Sequence, residues 1–158
     1  MSESYGKANV LNEIKKDLTP FSIAKLILIV VSVANLIITS TYIDAILNLE
    51  NAICGFIMFL FVLFGLVVLF QTSRIDEEHY SGCIVILLAL VVDIYLGLRL
   101  ENILNDAYIN QTKLNNPEVV LSAIRTIRNI LFGYGAGFVL VLFHVIKSLI
   151  DGRKSFKN

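Results

Sequence analysis

The sequence predicts an all-α polytopic membrane protein: a four-transmembrane-helix bundle with a short N-terminal interfacial helix, in a single domain spanning residues 1–158. Three observations carry this. Only 16% of the residues are charged, whereas a soluble domain averages about 25%. The chain is 56% hydrophobic with a mean hydropathy of +0.76. The apolar residues gather in four runs, at 21–47, 52–70, 83–104 and 129–149, each near or above the roughly 20 residues that cross a bilayer. A zero formal net charge argues against a nucleic-acid partner, which needs a basic face.

Residues 1–20 form an N-terminal segment. Its polarity predicts no cleavable signal peptide, and Ser2 stands where an N-myristoylated chain carries Gly. Within 9–18, Leu11, Ile14 and Leu18 share a helical face while Lys15 and Lys16 point elsewhere. That pattern fits a helix lying on the membrane surface, in contact with lipid headgroups. Thr19-Pro20 then reads as a helix start, with Thr as N-cap and Pro in the first turn.

The first span, 21–47, has Lys25 one turn in, where it snorkels to the interface. A polar stripe follows at Ser32, Asn35, Thr39 and Tyr42, whose spacing of 3, 4 and 3 keeps one face. The second span, 52–70, is nearly featureless and reads as the most lipid-exposed, with Gly55 and Gly65 as close-approach points. The 71–82 loop is charged. Its Asp76, Glu77, Glu78 and His79 lack metal-ligand spacing, so a solvated hairpin is expected and no metal. Cys83, beside this loop, is a palmitoylation candidate or an ordinary buried thiol.

The third span, 83–104, carries Asp93 about 15 Å from either end, near the midplane. A carboxylate there costs at least about 2.5–3.5 kcal/mol, so it should be protonated, paired or turned toward other helices. Ala89, Asp93 and Gly97 share a face, which reads as a packing seam. Asn35 lies at the same depth, so Asp93 is expected to hydrogen-bond either Asn35 or a neighbouring hydroxyl. After a polar helical tail, Asn110-Gln111-Thr112 is an N-glycosylation sequon. Asn116-Pro117-Glu118 starts the last helix, in which Arg125 and Arg128 are placed to meet headgroups and 129–149 span. Gly133 and Gly137 form a GxxxG pair suited to close helix crossing, and His144 falls on their face. Residues 150–158 are a basic tail.

Lysine and arginine set the orientation. Lys7, Lys15, Lys16, Lys25, Arg74, Lys147, Arg153, Lys154 and Lys157 fall on one side, and Arg99, Lys113, Arg125 and Arg128 on the other. The bias predicts both termini in the cytoplasm and Asn110 outside; if the chain is eukaryotic, its membrane is that of the secretory pathway or the plasma membrane.

The layout resembles the tetraspan plan of MARVEL-domain proteins over about residues 21–154. The third span, LLALVVDIYLGL with Asp93, is similar to the acid-bearing third span of fungal members, and GYGAGFVLVLFHVIKSLIDGRK is similar to their Gly-rich fourth span and basic tail. The outer loop departs from the family in lacking the cysteines some members carry there. The resemblance implies membrane organisation or vesicle-associated scaffolding without catalysis.

Two functional classes follow. One is a non-enzymatic scaffold or trafficking-associated protein, with membrane lipids, a second copy or other membrane proteins as partners. The other is a small oligomeric transporter or channel subunit that uses Asp93 with Asn35, His144, Ser32 and Thr39 as an intramembrane polar pathway. No HExxH, Ser/His/Asp spacing, paired catalytic carboxylates or Gly-rich phosphate loop is present, so neither an enzyme nor a cofactor is expected.

Overall fold

The computed structural model describes residues 19–47, 52–110 and 116–155. Four α-helices account for almost all of them: α1 (Pro20–Leu47), α2 (Ala52–Arg74), α3 (Tyr80–Asn110) and α4 (Pro117–Ser155). All four are long and apolar enough to cross a membrane. The expected surface helix at 9–18 lies outside the described residues.

The helix starts follow local chemistry. The Ser22 amide donates to Thr19 Oγ1 at 3.2 Å, the side-chain cap that Thr-Pro predicts. At α4 the Val120 amide reaches the Asn116 carbonyl at 3.4 Å, with Glu118 in the first turn. Helix geometry outlasts the apolar runs. α2 continues through Gln71–Arg74 and α3 begins at Tyr80, so the charged 71–82 loop shrinks to a hairpin at 75–79. α3 and α4 rise about 46 and 58 Å, well beyond a hydrocarbon core of about 30 Å.

The helices close into a ring in which α1 and α3 each pack on both α2 and α4. Neighbours in sequence are joined by short connections and run antiparallel. One end carries Pro20, the 75–79 hairpin and His144, and is called the hairpin end below. The other carries Tyr42 and Ser122.

In lipid, apolar side chains gain little by leaving their surroundings, so close contact between backbones counts for more. The α1–α4 crossing uses it. A Cβ added at Gly133 would run into the Val31 side chain, and one at Gly137 into Leu28. The glycine pair therefore packs α4 onto α1 within one chain. Gly97 does the same for α3, where a Cβ would come within 2.5 Å of Leu131 and 2.9 Å of Phe61. Ala89, Asp93 and Gly97 are all buried, on the seam between α2 and α4. Large side chains such as Leu26, Val30, Phe56, Phe59, Leu88 and Val139 point outward, as a lipid-facing surface requires.

Val31 is β-branched and stiff about χ1, so it cannot swing clear of a new methyl. Gly133→Ala should lower stability by about 1–3 kcal/mol through overpacking. Gly135→Ala, where an added Cβ meets nothing within 4 Å, should not lower it. Thermal unfolding of both variants in one detergent decides, and equal losses would refute the assignment of the crossing.

Candidate functional site

Asn35 is the polar residue that each neighbouring helix accommodates. It is completely buried, as are Ser32, Asp93 and Tyr134. Its Nδ2 donates to Tyr134 OH at 3.2 Å and, more weakly, to the Phe61 carbonyl at 3.5 Å. Its Oδ1 accepts from Thr39 Oγ1 at 3.0 Å. The Tyr134 and Thr39 hydroxyls could each donate or accept, so it is the Phe61 carbonyl, an acceptor only, that fixes which way the carboxamide faces. Tyr134 OH in turn points at Ser32 Oγ, 3.5 Å away. The Phe61 ring meets the Tyr134 ring edge-on, with centroids 6.5 Å apart.

α2 contributes space. A Cβ on Gly65 would lie 2.6 Å from Asn35 Nδ2 and 3.0 Å from Tyr134 OH, so only glycine leaves the pair room there. The helix expected to be the most lipid-exposed thus supplies one wall of the polar centre.

Asp93 enters from α3. Its carboxyl interacts electrostatically with the Tyr134 hydroxyl, yet neither oxygen completes a hydrogen bond of ordinary geometry. The Asn35–Asp93 hydrogen bond, one of the two expected, does not form. The two residues share a depth as expected, but the Tyr134 hydroxyl takes the amide. Among the described residues the other buried side-chain oxygen without a hydrogen-bond partner is Thr72 Oγ1, toward the hairpin end.

His144 does not join this group. It lies ten residues beyond Tyr134 on α4, about 15 Å along the axis. Its Nε2 sits 3.1 Å from the Glu77 carbonyl oxygen. A carbonyl only accepts, so Nε2 carries the proton. The ring packs on Phe21 with centroids 4.9 Å apart. Lys25 Nζ donates to the Ile75 carbonyl at 3.1 Å, and Thr19 Oγ1 donates to the Glu77 carboxylate. The hairpin is therefore clamped by α1 and α4 together, and Ile75 is buried beneath Gly82.

At the other end Tyr42 OH and Ser122 Oγ are 2.8 Å apart. Arg128, expected at headgroups, pairs with Glu101 through Nε at 2.9 Å and a second nitrogen at 2.5 Å. Asn110 is exposed at the end of α3; the rest of its sequon lies outside the described residues. Cys83 is buried, so its thiol is not presented for acylation. Among the described residues no three of His, Cys, Asp and Glu come together.

Sequence reasoning missed Tyr134 and undervalued Gly65. The signal for Tyr134 was available: a tyrosine set between two glycines, inside a span, has a hydroxyl that needs a partner. No family model, curated protein or solved structure matches this chain.

Removing the central hydroxyl strands Asn35 Nδ2 in a buried site. Tyr134→Phe should cost about 1–3 kcal/mol. Tyr42→Phe, at an exposed hydrogen bond, should cost less than about 1 kcal/mol. Thermal unfolding of the two variants side by side tests this; a smaller loss in Tyr134→Phe would contradict the site as described.

Proposed function

We propose that the chain is a non-enzymatic tetraspan scaffold that organises membrane or accompanies its trafficking. The observation that carries this reading is the burial of the polar centre. Ser32, Asn35, Asp93 and Tyr134 are each 0% exposed, and three of them are engaged with one another across α1 and α4. Polar groups arranged this way hold helices in register, as interhelical hydrogen bonds of about 0.6–2 kcal/mol do in membranes. The outward surface is large and aliphatic or aromatic, and its partners under this reading are lipids, a second copy or other membrane proteins. Because Gly133 and Gly137 face α1, self-association would use another face.

The second reading, a transporter or channel subunit, is favoured by one observation: both Asp93 carboxyl oxygens lack a hydrogen-bond partner. A proton-flux assay in liposomes separates the two. Under the scaffold reading wild type carries no flux above empty liposomes. Asp93→Asn, which keeps the shape of the carboxyl, should then be nearly silent in yield and thermal stability. Asp93→Leu should lose roughly 1–3 kcal/mol by forcing a bulkier branched side chain into a fully buried position. A wild-type flux abolished in a stable Asp93→Asn would replace the scaffold by the transporter.

Both termini are placed in the cytoplasm by the nine-to-four lysine and arginine bias. Fusion reporters at residues 1, 76 and 158 should read cytoplasmic, and one near residue 112 the opposite side. A cytoplasmic signal at 112 would reverse that placement.

A further inference from the structure

Between α1 and α2, on the outside of the bundle, lies a groove of about 350 Å³. Leu36 and Ile43 wall it on α1, Phe59 and Val62 on α2, and Gly55 leaves the hollow between them. Ile43 and Phe59 are exposed, so the groove opens outward. Its α1 wall runs from beside Asn35, near the midplane, to about 12 Å toward the Tyr42 end. That stretch lies within one half of a hydrocarbon core about 30 Å thick. The occupant therefore comes from the leaflet at that end.

The lining selects the chemistry of the occupant. No charged residue borders the groove. Thr39 and Ser40 bring its hydroxyls, and both hydrogens are spent: Thr39 donates to Asn35 Oδ1 at 3.0 Å and Ser40 to the Ile37 carbonyl at 2.6 Å. The groove thus offers a phosphate or a carboxylate no donor, and water too few polar partners to settle there. A transmembrane helix of a second copy does not fit either. One helical turn with its side chains, about 10–12 Å across, fills roughly 500 Å³, more than the whole groove. A hydrocarbon chain is narrower and needs no hydrogen-bond partner.

The headgroup end is marked by charge. Asp44 follows Ser40 by four residues and so continues its face of α1. It is exposed, about 13.5 Å from Asn35, where hydrocarbon gives way to headgroups. The cations of α1 and α2, Lys25 and Arg74, stand at the hairpin end. A headgroup above the groove therefore meets a carboxylate, which attracts an ammonium and repels a net anion. We infer that the groove holds one acyl chain of a zwitterionic, ammonium-bearing phospholipid, with its headgroup at Asp44. The inference rests on the chain spanning a bilayer, as the scaffold reading does. Proton flux through wild type would sink that reading and leave the groove untouched, whereas lipid retention tests the groove alone.

The test is native mass spectrometry of the purified full chain, taken from micelles holding equal amounts of phosphatidylethanolamine and phosphatidylglycerol with identical chains. Wild type should retain phosphatidylethanolamine in preference to phosphatidylglycerol. Gly55→Leu fills the hollow from α2 and should reduce retention to background. Ser40→Phe fills it from the exposed rim of α1 and should give the same loss if Gly55→Leu folds poorly. Gly135→Leu adds a leucine where a Cβ meets nothing within 4 Å and should retain lipid as wild type does. Asp44→Lys should reverse the headgroup preference. The inference is overturned if wild type retains no lipid or both lipids equally, if neither Gly55→Leu nor Ser40→Phe loses it, if Gly135→Leu loses it equally, or if Asp44→Lys keeps the wild-type preference. A lipid-free dimer that Gly55→Leu dissolves would assign the groove to a second copy instead.

Discussion

The hydrogen bond from Asn35 to the Tyr134 hydroxyl is the constraint on which the interior depends. Hydrocarbon offers a carboxamide no partner, so its donors and acceptor must be met by protein. One polar residue on α1 therefore fixes several things at once. It turns the Ser32–Asn35–Thr39 face inward and sets the register of α1 against α4. It also requires α2 to present a backbone carbonyl at Phe61 and no side chain at Gly65. Asp93 then approaches the same hydroxyl from α3.

That geometry needs helices closer than bulky side chains allow. Gly133 and Gly137 bring α4 onto Val31 and Leu28, flanking Tyr134 in sequence by one and three residues. The spacing places the tyrosine between the two contacts, so the close crossing and the polar centre are one feature. Gly97 plays the same part where α3 meets Phe61 and Leu131. Dispersion contacts of this kind carry helix association in a membrane, where burial of apolar surface contributes little.

The two ends are held by different means. At the hairpin end Lys25 and His144 each bond to a backbone carbonyl of the 75–79 segment, a lysine near the last carbonyls of α2 being also favourable to the helix dipole. At the other end α3 and α4 extend beyond a bilayer's thickness and pack through Leu104, Val120, Ala123 and Ile124. The Arg128–Glu101 pair there is half-exposed on the arginine side, and such pairs contribute only about 0–1 kcal/mol. Packing, not charge, holds that extension together.

The number of helices, their class and their approximate limits were legible in the sequence, because apolar runs of membrane length and Thr-Pro and Asn-Pro starts act locally. The inward polar stripe was legible too, since a period of 3 and 4 is a property of one helix. Asp93 at the midplane required only counting. The tertiary structure decided which groups meet. Asn35 and Asp93 share a depth, yet Tyr134 takes the amide, and His144 turns to the hairpin instead of the acid. The glycine pair faced an unnamed helix until the ring closed with α1 against α4. Depth and face are set by a single helix's own geometry, whereas partners depend on how four helices rotate and slide against one another, which no single stretch of the chain encodes.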